Sequence, residues 1–307
     1  MTTSKPLVSV IMVSYNTRDY TVKAMKTALT SKGFKPGEVE VIMIDNNSPD
    51  DSVAYTKKHL PSVKVIANKD NKGFGGGNNQ GADIAKGKYL LLLNPDAFLE
   101  PDSLRIMVDI MEKNKDIVSV GPQLRYVDGS MQQSCGYLPT PIRVTAWMWW
   151  LDKIPLVKQL FQEPYHVFDL DWHKQDRYPE WLMGACIMFR KAEFQTAGGF
   201  DDKIFMYAEE VELYRRLKES LGKKVFFTTA TKVVHVGSVS TKKANAYRLA
   251  YELQGIEYIY KKHYPHLLGY IRFVIDVGVL MRMALFSLIP SRRDTLVEYK
   301  KYWNRPK

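Results

Sequence analysis

Five apolar residues in a row, Tyr89–Leu93, stop at Asn94-Pro95-Asp96. A short unbroken apolar run bounded by turn residues predicts a strand buried on both faces. Proline ends the ladder because it has no N–H to give. The pattern recurs upstream. Leu7–Val13 is rich in β-branched residues and ends at Ser14-Tyr15-Asn16-Thr17, where Asn16 or Thr17 would cap a helix. Asp19–Leu29 carries Val22, Met25, Ala28 and Leu29 at helical spacing. Val39–Ile44 reads as a second strand ending at Asp45-Asn46-Asn47-Ser48, Ser52–His59 as a short helix, and Val63–Ala67 as a third strand. The glycine-rich run Asn68–Gly81 follows as a loop, and Asp83–Lys86 completes a helix before Tyr89. Strands alternating with helices imply an α/β fold with a mostly parallel sheet and helices on both faces.

In such a sheet the carboxyl ends of the strands share one side, where ligands bind. Ser14, Tyr15, Asn16, Asp45, Asn46, Asn71 and Asp96 would then crowd one crevice, the pattern of a nucleotide site in which Asp45 accepts hydrogen bonds from a base or ribose. Singly, each reads as well as a turn or helix cap. Gly73-Phe74-Gly75-Gly76-Gly77 fails as a dinucleotide fingerprint, because the third glycine position holds Asn78 and the stretch follows the third strand instead of the first. Its glycines still let backbone amides approach a phosphate or sugar.

Composition narrows the field. The 307 residues include 44 Lys and Arg against 33 Asp and Glu, a formal net charge of +11. Residues 242–307 hold thirteen basic and five acidic side chains, so the tail carries most of the excess. That could serve nucleic acid, an anionic membrane or an acidic substrate. No nucleic-acid-binding motif is recognisable, and the expectation is no nucleic-acid partner. Cys135 and Cys186 lack metal or CxxC spacing and read as buried reduced thiols. Leu7–Val13 lacks a small-residue cleavage site and reads as a strand, not a signal peptide. A cytoplasmic protein is the expectation.

Four stretches, VSVIMVSYN, VIMIDNNSPDDS, NKGFGGGNN and LLLLNPDAFLEP, joined later by WLMGACIMFRKAEFQTAGGFDDKIFMYAEEVELYRRL and HVGSVS, resemble the family 2 glycosyltransferases, especially the bacterial rhamnosyltransferase-like branch. The likeness spans roughly residues 6 to 241. It implies a GT-A fold with a Rossmann-like central sheet. The activity it implies is inverting transfer of a sugar from a nucleotide-diphosphate donor, with dTDP-rhamnose first and other dTDP- or UDP-sugars next. The acceptor would be a hydroxyl of a lipid-linked or cell-surface polysaccharide precursor. A non-catalytic nucleotide-sugar binding module is the alternative.

The resemblance also implies site roles. A divalent cation, Mn²⁺ or Mg²⁺, would be held by Asp96 and His235, with Asn94 standing where the family's metal motif has its first Asp. Glu210 would be the general base, supported by Glu209 and Glu212, with Glu in place of the family's Asp at two positions. Ser14, Tyr15, Asn16, Asp45, Asn71, Gly73, Asn78, Asn94 and Asp96 would contact the donor, and Gly184 and Ala185 would leave it space. Gly198–Asp201 would begin a flexible loop before the base. Ser240 and Lys243 are further diphosphate candidates.

The expected division is a GT-A domain over 1–241, with a nucleotide-binding half at 1–120 and an acceptor half at 121–241, followed by a basic helical extension at 242–307. The Trp-rich stretch 131–178 reads as an acceptor-side insertion. Ala246–His263 reads as an amphipathic helix. In Gly269–Pro290, Arg272, Asp276, Arg282 and Ser287 share one side of a helical wheel and leave a wide apolar face. Such a helix lies in a membrane interface with its cations on anionic lipid, which places the protein on the inner face of the cell membrane. Packing on the domain or on a second copy, a homodimer, are the other readings of that face.

Overall fold

The computed structural model describes residues 5–158, 163–237 and 248–305. The strands are β1 (Val8–Ser14), β2 (Val39–Asp45), β3 (Lys64–Ala67), β4 (Tyr89–Leu93), β5 (Ala97–Leu99), β6 (Ile117–Arg125), β7 (Cys135–Gly136), β8 (Trp181–Leu182), β9 (Cys186–Arg190) and β10 (Lys224–His235). The helices are α1 (Arg18–Leu29), α2 (Ser52–His59), α3 (Gly73–Ile84), α4 (Ser103–Lys113), α5 (Pro141–Met148), α6 (Pro155–Lys158), α7 (Lys191–Thr196), α8 (Glu209–Leu221), α9 (Arg248–His263), α10 (Leu268–Ser287) and α11 (Arg293–Trp303). Eight strands form one sheet in the order β3-β2-β1-β4-β9-β6-β10-β5. It is mostly parallel on the β3–β4 side, while β9 runs antiparallel to β4 and β6, and β5 antiparallel to β10.

The alternation along the strands sorts the core into two layers. Ile11, Ile42, Ile44, Leu90 and Leu92 face one side, together with α8, α9, α10 and α11. Val10, Met12, Val41, Met43, Leu91 and Leu93 face the other, together with α1 and α4. The C-terminal helices therefore pack into the same core as the first strands. The expected boundary at 241/242, with Ser240 and Lys243, lies outside the described residues.

Two expectations change. The glycine run is not a loop: it forms most of α3. Its glycines are there for contact. A Cβ on Gly81 would sit 2.3 Å from Ile11, and one on Gly77 2.9 Å from Val13, so α3 lies closer to β1 than side chains would permit. The helical wheel of α10 is also different. Arg282 does not join Arg272 and Asp276; it is buried among Ile271, Val274, Ile275 and Val279. There it donates to the Trp147 carbonyl and lies 4.7 Å from the Trp150 ring. The guanidinium is planar and weakly hydrated, so aromatic faces and a carbonyl can house it. The Trp-rich stretch thus docks on α10, with Trp149 Nε1 donating to the Val274 carbonyl at 3.0 Å.

Candidate active site

The chain leaves β4 at Leu93, turns through Asn94-Pro95-Asp96 and enters β5, which pairs with the end of β10 so that Ala97 faces His235. The Val236 N–H donates to the Asp96 carbonyl at 3.0 Å. This pairing sets His235 Nε2 3.4 Å from Asp96 Oδ1 and 3.4 Å from Asn94 Nδ2. Asp96 is 3% exposed and His235 7%. Two residues 139 positions apart in the chain thus meet at one point. Among the described residues no group of three or more His, Cys, Asp or Glu side chains converges to hold a metal alone.

The short stretch between β8 and β9 joins this point to the acidic end of α8. The Ala185 carbonyl accepts from the Asn94 N–H at 2.9 Å. The Gly184 N–H donates to Glu210. Gly184 is bare because a Cβ there would meet the Phe74 ring at 2.9 Å. Ahead of α8, Tyr207 (φ 64°) and Ala208 (φ 73°) are both left-handed. Two such residues in succession cost free energy, of order 1–3 kcal/mol each, and such strain clusters at functional sites. The turn is pressed into place by α9: a Cβ on Gly255 would lie 2.6 Å from that of Ala208.

The three acidic residues of the first turn of α8 have different surroundings. Glu209 Oε2 and Glu210 Oε2 are buried with no hydrogen-bond partner among the described residues. Burial, then the neighbouring Glu210, drives the Glu209 carboxyl well above the usual range. Burial lifts Glu210 to about 7; its own N–H and that of Gly184 oppose this, and Glu252 adds to it. Glu212 is turned into an ion cluster with Arg216, Lys262 and His263. Burial raises it, but Arg216 and Lys262 prevail and hold it below the usual carboxylate range. Its side chain ties α8 to the end of α9.

Glu252, on α9, was not singled out in the sequence. It accepts from Tyr165 Oη at 3.1 Å and pairs with His166 Nε2 at 2.7 Å. Burial raises its carboxyl, but His166, together with Arg248 and Tyr165, outweighs this and holds it below the usual carboxylate range, ionised at neutral pH. Replacing Glu252 by Gln removes a negative charge that raises Glu210. If Glu210 must be deprotonated for turnover, the acidic limb of the pH–rate profile moves to lower pH. A limb that stays put in rate measurements from pH 5 to 9 would detach Glu252 from the site.

The other sequence candidates line the sheet's carboxyl edge with differing freedom. Tyr15 is 42% exposed, and Asn16 is left-handed with its N–H on Ser48 Oγ. Ser14 is wholly buried and its hydroxyl bonds Thr21 at 2.9 Å, so its side chain builds the turn. Asp45 Oδ1 accepts from the Ser48 N–H, and the buried Asp45 Oδ2 has no hydrogen-bond partner among the described residues. Asn71 Oδ1 accepts from the Gly73 N–H and from Asn46 Nδ2, extending through Asn68 to Gln80 as a ladder of side-chain amides. Gly73 (φ 72°) could not carry a Cβ, which would meet the Phe205 carbonyl at 2.2 Å. Asn78 is buried and bonds the Phe74 carbonyl. Asn79, also missed, grips both the N–H and the carbonyl of Phe200. Together with Arg216 on the Gly199 carbonyl, it anchors the segment expected to be a flexible loop. No periodicity or spacing marks Glu252, and Asn79, which closes the NKGFGGGNN stretch, shows its hold on Phe200 only in the folded chain.

Comparison with known proteins agrees with this architecture. The chain is 27% identical over 228 residues to an N-acetylglucosaminyl-diphospho-decaprenol L-rhamnosyltransferase of Mycobacterium tuberculosis, covering 69% of this chain and 71% of that protein. It is 23% identical over 236 residues to a glucosyl-dolichyl phosphate glucuronosyltransferase of Haloferax volcanii, covering 74% and 68%. The fold is similar to the crystal structure of GalNAc-T7 with UDP, GalNAc and Mn²⁺, at a TM-score of 0.56 and 16% identity, over 83% of this chain and 48% of that one. The profile of "Glycosyl transferase family 2" matches residues 9–169, more than half of the chain. The chain belongs to glycosyl transferase family 2 and is a glycosyltransferase of GT-A type.

Proposed function

We propose that this glycosyltransferase transfers a sugar with inversion, rhamnose being the first expectation, from a dTDP- or UDP-sugar to a hydroxyl of a lipid-linked or cell-surface polysaccharide precursor. The observation that carries the reading is the 184–185 stretch, which touches Asn94 on one side and Glu210 on the other. A leaving diphosphate and an attacking hydroxyl need to be that close. The name of the mycobacterial relative supports the sugar and the lipid-linked acceptor.

Asp96 and His235 fit a divalent cation. They offer a carboxylate oxygen and an imidazole nitrogen 3.4 Å apart in a nearly dry corner. Mg²⁺ and Mn²⁺ complete such partial shells with water and phosphate oxygens. Bound there, the cation would neutralise the diphosphate as it leaves. The rest falls to the chain itself. Asp45 Oδ2 accepts an N–H of the base or a hydroxyl of the ribose. Glu210 takes the proton of the acceptor hydroxyl as that oxygen attacks the anomeric carbon, and a base poised near 7 suits that transfer at neutral pH. Glu209, buried beside it, supports the site. Calorimetric titration with dTDP and with UDP, each with Mn²⁺, Mg²⁺ or chelator, tests the reading. Metal-dependent binding of one nucleotide is expected; binding of neither by the folded protein overturns it.

The same reading places the protein peripherally on the inner membrane face. Among the described residues no helix is long and apolar enough to cross a membrane. The inner side of α10 is packed, yet its outer side leaves Phe273 59%, Leu280 47% and Leu285 44% exposed, with Leu288 beyond at 80%. Arg292 and Arg293 follow on the surface. An apolar strip edged by cations suits an anionic lipid surface. The protein should sediment with phosphatidylglycerol vesicles and poorly with phosphatidylcholine. Replacing Phe273 and Leu280 by Ser should release it. A concentration-dependent dimer by light scattering, without vesicle binding, would assign the strip to a second copy instead.

A further inference from the structure

Gln132 lies between β6 and β7, 4% exposed, with its N–H on the Leu124 carbonyl at 2.9 Å. Its side chain meets His235 twice. Nε2 donates to the His235 carbonyl at 2.5 Å, and Oε1 lies 2.9 Å from His235 Nδ1. The carboxamide has only one workable orientation here. A backbone carbonyl only accepts, so the amide nitrogen must face it. The amide oxygen then faces Nδ1, and two acceptors at 2.9 Å would repel, so Nδ1 carries the proton. In the neutral ring the lone pair is then on Nε2, the nitrogen directed at Asp96 and Asn94.

We propose that Gln132 is a positioning residue: by bonding both the carbonyl and the Nδ1–H of His235, it fixes the ring as the tautomer that presents Nε2 as a ligand atom toward Asp96. The assignment rests on the cation reading above and deepens it. Ligating histidines commonly hold their other nitrogen in this way, and loss of the outer partner costs about 10–100-fold in metal affinity. An equally buried Leu would fill the space without choosing a tautomer, so packing alone does not account for a carboxamide with both ends engaged.

The test uses the full chain with ¹⁵N-labelled histidine, the His235 signals being assigned by their loss in His235→Gln. At a pH where the ring is neutral and without metal, two-bond ¹H–¹⁵N spectra should show Nδ1 protonated and Nε2 bare. Gln132→Leu should shift the population toward the other tautomer and weaken Mn²⁺-dependent binding of UDP or dTDP about 10-fold or more, leaving any binding in chelator unchanged. Gln132→Glu still accepts from Nδ1–H and should keep the tautomer; this second variant also covers the case in which the Leu variant does not fold. A wild-type ring protonated on Nε2, or a tautomer unmoved in Gln132→Leu, overturns the role of Gln132. If Mg²⁺ with nucleotide leaves the His235 signals of the wild type untouched, the cation reading itself falls, and the ligand assignment with it.

Discussion

Glu210→Gln should retain donor binding and lose transfer, by about 10²–10⁴-fold, the usual worth of a general base. The substitution keeps the shape of the side chain and its contact with Gly184, but removes the basic oxygen. Because the wild-type carboxyl is lifted to about 7 chiefly by burial, a neutral amide also removes a group that is costly to keep charged there. The variant is therefore expected to fold at least as well as the parent while being inactive. Thermal melting, calorimetric donor titration and single-turnover transfer together separate the two effects. Wild-type turnover would remove Glu210 as the base and direct attention to Glu252, the other carboxylate held ionised nearby.

Asp96→Asn should leave the turn after β4 intact and cut metal-dependent nucleotide binding by more than the roughly 10–100-fold expected for loss of an outer-shell partner, since a charged ligand itself is lost. Binding in chelator should match the parent. The two substitutions act on opposite sides of the 184–185 stretch, so they should separate binding from chemistry. Asp96→Asn weakens the first; Glu210→Gln spares it and stops the second. Unchanged Mn²⁺ dependence in Asp96→Asn would move the cation elsewhere.

Strand and helix identities through β4, α3 excepted, were legible because each buried strand is a compact apolar run with a polar end, and Ser52–His59 and Tyr89–Leu93 fall at the bounds the pattern suggests. The α3 glycines misled because helix propensity argues against five of them in twelve residues, and only the approach of Ile11 and Val13 shows what they are for. The α10 wheel misled for the converse reason: a charge on the inner face is unreadable until Trp147 and Trp150 are seen to enclose Arg282. In the site, residues at strand ends could be named in advance because sheet topology gathers them. Glu252 and Gln132 could not, because each arrives by tertiary contact from a segment with no motif of its own, and the grip of Asn79 on Phe200 is likewise visible only in the folded chain.

The composition of α3 bears on the order in which the protein assembles. Five glycines cost its helix about 4–5 kcal/mol relative to alanine, so the segment has almost no helical tendency alone and is held by what it touches. Those supports are β1 beneath it and Phe200 and Phe205 above, the latter brought close only after the chain has returned through β9. This wall of the crevice should therefore form late in folding, after the strands have paired. In the native protein its amides should exchange with solvent by local release more readily than those of β1 or β4, and a bound donor should slow them most.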